Sequence, residues 1–301
     1  MGMVLNPARF ASSSNWVGGL NPARPSTISA NKFRISYATV GGSPNASASE
    51  VEMRASVGGA NQCSGGTPLS SSDFSGSYQK AYAFNGNGTT DFWVSAGGLP
   101  GAYIGYDFGS AKTVEELYLL PRPGGNECPL TGTVDYWNGS AWVVGWDLHF
   151  GPWSNSAKTF RQVATGDRWR VKITAGSGGN GGFRELEMRT SVGGADECTG
   201  GEAFSSNWYN TSYYPANAFD NNTGTEWASS NGGGSVGDWI AYDFYTQKEI
   251  VEVVVNNRNT VTSTLSFERW NASTRTWDVV WSSGSYNFTA GTPVTFTRPT
   301  V

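Results

Sequence analysis

The sequence predicts an all-β protein made of two copies of one domain. Three observations carry this. Forty glycines and 14% aromatic residues, against 15% charged, suit short strands joined by tight turns. Gly accepts positive φ there, and aromatics fit a pleated, half-buried surface. The runs of Ala, Leu, Glu and Lys that long amphipathic helices need are absent. Finally, one phrase occurs twice: Glu52-Met-Arg-Ala-Ser-Val-Gly-Gly-Ala-Asn-Gln-Cys63 returns as Glu187-Met-Arg-Thr-Ser-Val-Gly-Gly-Ala-Asp-Glu-Cys198, 135 residues on. A repeat of that length is a tandem of domains; solenoid units are much shorter.

Along the chain, residues 1–31 read as an extended arm rich in Pro, Ser and Asn. It carries a small echo, Leu5-Asn-Pro-Ala-Arg9 and Leu20-Asn-Pro-Ala-Arg24. Pro after Asn favours extended or turn backbone, so the arm has no core of its own. It is either a poorly ordered tail or a segment that docks on a partner. Copy one then spans 55–189 and copy two 190–301. Tyr103-Ile-Gly-Tyr-Asp-Phe108 matches Trp239-Ile-Ala-Tyr-Asp-Phe244, and Lys112-Thr-Val-Glu-Glu-Leu-Tyr-Leu119 matches Lys248-Glu-Ile-Val-Glu-Val-Val-Val255, a strand expected to cross the core. Tyr136-Trp-Asn-Gly-Ser-Ala-Trp142 and Arg269-Trp-Asn-Ala-Ser-Thr-Arg-Thr-Trp277 each read as strand, Asn-led turn, strand: a hairpin.

The net charge of −4 and the lack of a Lys/Arg cluster argue against a nucleic-acid partner. No apolar run approaches a membrane span, so membrane insertion is not expected. Met1 to Phe10 lacks the apolar stretch of a secretory signal. Cys63 and Cys198 stand at equivalent places in different copies and Cys128 has no counterpart, which favours free thiols and a reducing compartment. Asn138-Gly-Ser and Asn271-Ala-Ser read as turn chemistry ahead of glycan acceptors.

Ala218-Phe-Asp-Asn-Asn-Thr-Gly-Thr-Glu-Trp227, followed by Trp239-Ile-Ala-Tyr-Asp-Phe244, resembles the discoidin or coagulation-factor C-type domains. The resemblance implies two galactose-binding-like jelly-roll sandwiches. In that pattern an Arg-rich strand and a final Glu-rich strand close the domain, here Arg168-Trp-Arg-Val-Lys-Ile173 and Phe183-Arg-Glu-Leu-Glu-Met188. No such pair follows copy two, whereas Lys32-Phe-Arg-Ile-Ser36 and Ser49-Glu-Val-Glu-Met53 open the chain. Residues 32–54 are therefore expected to complete the second sandwich, within the chain or in a neighbour. Otherwise they form a hairpin on copy one.

The resemblance also implies a structural calcium ion beside the Ala-Phe-Asp loop. Its ligands would be Asp220, Asn222 and Thr225, with Glu50 supplied by the opening strands. In copy one the matching residues are Asn85, Asn87, Thr90 and Glu185. There a neutral amide replaces the charged ligand, and an Asx-turn network without metal is expected. Ligand binding in such sandwiches uses loops at one end, where exposed rings stack on sugar faces. Copy two offers Trp208, Tyr209, Tyr213, Tyr214 and Arg258, with Trp208 and Tyr213 foremost. Copy one offers Phe74, Tyr78 and Arg122. The alternative is that these rings belong to strands and core.

Catalysis finds little in the chain. The one histidine, His149, reads as structural, no Ser-His-Asp set assembles, and Glu115, Glu116 and Glu252 read as solvated strand faces. The Gly-rich stretches near Gly178 and Gly232 read as turns. The expected function is thus non-enzymatic: a structural and adhesive virion protein (phage tail, fibre or head decoration) assembled in the bacterial host cytoplasm. Its expected partners are its own copies, other virion proteins and a cell-surface glycan. A carbohydrate-binding module of a secreted enzyme or adhesin is the alternative, and a small hydrolase a distant third.

Overall fold

A computed structural model describes residues 27–40, 45–123, 129–149, 157–176, 181–230 and 236–300. The arm up to residue 26, Cys128 and the turns at Gly178 and Gly232 lie outside them. The described chain is two antiparallel β-sandwiches of one topology. The first holds β1 (Ser29–Val40), β2 (Ser47–Ala48), β3 (Glu50–Arg54), β4 (Thr67–Ser70), β5 (Trp93–Val94), β6 (Tyr103–Thr113), β7 (Glu116–Leu120), β8 (Pro129–Trp137), β9 (Trp142–His149) and β10 (Lys158–Arg161). A five-stranded sheet, β4-β6-β1-β8-β9, faces β10-β7-β3, which the short pair β2-β5 extends.

The second holds β11 (Arg168–Gly176), β12 (Gly182–Arg189), β13 (Glu202–Ser205), β14 (Trp227–Ala228), β15 (Trp239–Asp243), β16 (Glu252–Asn257), β17 (Val261–Asn271), β18 (Thr276–Phe288) and β19 (Pro293–Thr297). Its sheets run β13-β15-β11-β17-β18 and β14-β12-β16-β19. Both expected hairpins form, as β8–β9 and β17–β18. Asn138 Oδ1 accepts from the Ser140 and Ala141 amides, and Asn271 Oδ1 from those of Ser273 and Thr274.

The opening strands sit elsewhere than expected. β1 lies between β6 and β8 in the middle of the first sandwich, and β3 pairs with β7. Period-two alternation makes this the right home. Phe33, Ile35, Tyr37, Val51 and Met53 turn inward and are at most 1% exposed. On the outer side Arg34 meets Asp135 at 2.9 Å. Residues 32–54 thus complete the first sandwich, and β11 and β12 complete the second rather than ending copy one. Each sandwich opens with the strands that the family pattern places last. The boundaries at 189/190 therefore give way to one in the 162–167 connection.

That connection is the root of an extensive seam. Lys158 pairs with Glu202, the Arg161 guanidinium lies 5.0 Å over the Tyr245 ring, and Ala272 N donates to Thr165 Oγ1. Trp270 of the second sandwich packs into the core cluster of the first. His149 stacks on Phe204 at 4.6 Å and meets Trp239 edge-on at 6.3 Å. Arg275, at φ 56° in the β17–β18 turn, reaches the Asp147 carboxylate with two bonds of 3.0 and 2.6 Å. A non-glycine residue in the left-handed region costs about 1 kcal/mol, and this two-pronged ion pair offsets it.

Candidate ligand-binding site

In both sandwiches the loop before β5 or β14 carries rings into a patch at one end of the fold. In the second, Tyr209 N donates to Ala228 O, and Asn210 caps the 3-10 turn Thr211–Tyr213 by accepting from Ser212 N. The turn holds the Tyr209 and Tyr213 rings edge-to-face at 5.8 Å and 69°. Tyr209 is 56% exposed, which leaves much of its ring open to a ligand. Arg258 lies 5.0 Å over Tyr213, and its Nε donates to Glu226 at 2.8 Å. Arg184 lies 3.9 Å from the same carboxylate.

The first sandwich repeats the arrangement. Phe74 N donates to Val94 O, and the Phe74 and Tyr78 rings stand at 5.9 Å and 69°. Phe74 is 54% exposed. Arg122 lies 5.4 Å over Tyr78 and 4.5 Å over Phe92, which itself stacks on Tyr78 at 5.3 Å. The structure thus brings together Tyr209, Tyr213 and Arg258 in one patch and Phe74, Tyr78 and Arg122 in the other. Trp208 and Tyr214 form a separate edge-to-face pair at 6.0 Å, with Trp208 packed half-buried against the second core. Sequence reasoning missed Phe92 and Glu226. Each immediately precedes a wholly buried Trp, Trp93 or Trp227, and that shared position was the available signal.

The oxygen-rich loops pair with the glutamates in the opposite sense to the expectation. Glu50 Oε2 accepts from Gly86 N in the first sandwich at 3.0 Å, so it cannot serve Asp220. Glu185 instead faces Asp220 and the Asn221 and Asn222 amides in the second. Burial pushes both carboxyls up to about 7, Gly86 opposing the shift at Glu50. The Asn221 and Asn222 amides oppose the rise at Glu185, yet neither of its oxygens reaches full hydrogen-bond geometry. Thr225 Oγ1 lies 2.7 Å from Asp220 Oδ2 and 2.8 Å from Asn222 O, so three oxygens converge around a single hydroxyl proton.

In the first sandwich Asn85 Nδ2 and Asn87 Nδ2 donate to Asp91 and Thr90 instead, closing the loop with amide protons. Among the described residues, no three His, Cys, Asp or Glu side chains gather as a metal centre. The second loop nevertheless gathers two carboxylates, a hydroxyl and a carbonyl oxygen, which are the donor types a hard cation takes.

The family model for the F5/8 type C domain matches residues 68–185. The match begins in β4 of the first sandwich and ends in β12 of the second, so the family's linear order crosses the structural boundary. The second sandwich shares the topology outside that span. No curated protein and no solved structure matches the chain.

Proposed function

We propose that this is a non-enzymatic glycan-binding protein with one loop-end site per sandwich. The single observation behind the reading is the patch built twice: an exposed ring, a second ring edge-on to it at nearly the same distance and angle, and a guanidinium over the second. A sugar ring lays its C–H face on Tyr209 or Phe74 and its hydroxyls against the adjoining charged groups. Two sites on one chain, multiplied in an oligomer, raise weak sugar affinity by avidity.

His149 supports the absence of catalysis. It is 4.6 Å from Phe204 inside the seam, and burial, then Arg168 and Arg170, lower its pKa to about 3. It is a neutral packing residue, stacked between the two sandwiches. The tandem array and the buried free thiols Cys63 and Cys198 are compatible with a virion component. In the second sandwich Glu185, Asp220, Asn222 and Thr225 would hold a calcium ion, which would supply charge to a loop otherwise left with an uncompensated carboxylate.

A glycan array probed with the full chain, its Phe74→Ala/Tyr209→Ala variant and a chelator-treated sample tests the reading. Specific spots should appear with the parent, and those held by the loop ends should vanish with the double variant. An empty array, or spots indifferent to both substitutions, contradicts it. Native mass measurement tests the virion role, which calls for a large closed oligomer.

A further inference from the structure

The outer face of the first sandwich's five-stranded sheet is ordered in rows across β1. Asp107 stands opposite Lys32, Asp135 opposite Arg34, Tyr103 and Thr133 opposite Ser36, and Asp147 opposite Thr133. Alternation puts these side chains on one side. Lys32 lies 5.9 Å over Trp137, and Arg34 lies 4.7 Å from the Tyr103 ring and 4.5 Å from the Trp142 ring. One step along, Ser36 and Thr133 each donate to the buried Asp135 carboxylate at 2.6 Å. The row ends in a cleft of about 360 Å3 lined by Ser36, Ala38, Pro100, Thr133 and His149, with the Asp147–Arg275 pair on its edge.

The second sandwich carries the same ladder, with Arg170 between Trp239 at 5.3 Å and Trp277 at 4.6 Å and Arg168 over Phe204 at 5.5 Å. There the first sandwich covers it: the His149 ring lies on Phe204, and Arg168 donates to Asp147 O. Side-chain exposure shows the difference. Arg168 and Arg170 are 5% and 11% exposed, whereas Lys32 and Arg34 retain 32% and 21%. Among the described residues nothing covers the first ladder.

We propose that this face is a second carbohydrate site, separate from the loop ends, which takes a neutral oligosaccharide laid along β1 with one ring in the cleft. Three points select that occupant. The cleft falls within the size of small-ligand pockets, about 300–1,000 Å3. Lys32, Arg34 and Arg275 balance Asp107, Asp135 and Asp147, so the face offers donors and acceptors to hydroxyls without favouring a charged chain. And Tyr103, Trp137 and Trp142 stay half-exposed along it, offering aromatic surface beside the Ser36 and Thr133 hydroxyls. A second copy of the chain is a poorer fit, because Ser282 stands where Asp147 does: Ser282 pairs with Ser266 as Asp147 pairs with Thr133. Its second sandwich thus lacks the acidic strand end that covers the ladder in the seam.

The test is calorimetric titration of the full-length Phe74→Ala/Tyr209→Ala variant, whose loop-end rings are gone, with β-1,4-linked hexasaccharides of glucose and of N-acetylglucosamine. One of these should bind at one per chain. Adding Ala38→Trp, which fills the cleft from an exposed position, should weaken it at least tenfold, and Ser36→Ala should weaken it severalfold. Thermal melts within a few degrees of the parent establish folding. Failure of both sugars to bind the loop-end variant overturns the proposal, as does binding indifferent to Ala38→Trp and Ser36→Ala. An Ala38→Trp effect on native mass in place of sugar binding also overturns it and marks the face as a contact between copies. Array binding that is absent in the parent, or the same in parent and loop-end variant, with this titration intact would remove the loop-end reading alone.

Discussion

At the scale of single residues, Glu185 couples burial to pH. Its carboxyl titrates at about 7 in the fold against 4.5 in the ordinary state, chiefly through desolvation. The folded chain therefore holds a proton that the unfolded chain releases. The associated stability is complete below about pH 4.5 and is lost as pH rises through about 7. Glu50 adds a contribution of the same sign. In chelator at pH 8, Glu185→Gln should be more stable than the parent by roughly 1–3 kcal/mol. Calcium should stabilise the parent and leave the variant unmoved. Urea melts at pH 5 and 8 check this; a parent insensitive to calcium and no less stable than the variant contradicts it. Arg34 is a second informative position, because Asp135 is 4% exposed and Arg34 is its cationic partner at 2.9 Å. Arg34→Ala should cost about 3 kcal/mol by leaving that carboxylate buried with hydroxyl donors alone. Arg34→Ala/Asp135→Asn should recover much of the loss in the same melts.

At the scale of elements, β1 is the strand on which the first sandwich depends. It is hydrogen-bonded on both sides, so losing its inward rings opens the centre of a sheet rather than an edge. Phe33→Ala should cost about 3–5 kcal/mol. In calorimetry the first sandwich should lose more stability than the second, even across the seam; two transitions lowered equally would argue against this placement. Strand type, both hairpins and the repeat were legible because alternation and Asn-led turns are local signals. Strand partnership was not. Lys32–Ser36 and Arg168–Ile173 have the same alternation and the same outward Arg, so either could fill either sandwich by pattern. Chain order decides in favour of the body that follows each pair. The same ambiguity exchanged Glu50 and Glu185 between loops. The ring pairs, by contrast, were partly legible: spacing along one loop gathers Tyr209 with Tyr213 and Phe74 with Tyr78, but Trp208, expected foremost with Tyr213, packs half-buried against the second core. The partners Phe92 and Glu226 come from β5 and β14 edges, and only pairing brings them there.

At the scale of the whole molecule, the two sandwiches have one topology and unlike surroundings. The seam uses the strand end of the first, Asp147 to His149, against the sheet face of the second, and the reverse contact has no matching residues. Asp147→Ala should loosen the seam by releasing Arg275, and calorimetry should then show two separated transitions in place of closely coupled ones; an unchanged profile would mean that the ion pair is idle. The central claim remains that each sandwich owns a loop-end sugar site. The most direct measurement is the stoichiometry of a glycan selected from the array, titrated against the parent, Phe74→Ala, Tyr209→Ala and the double variant. Two loop-end sites in the parent, one in each single variant and none in the double variant is the expected result. The same stoichiometry and affinity in all four proteins would contradict the account.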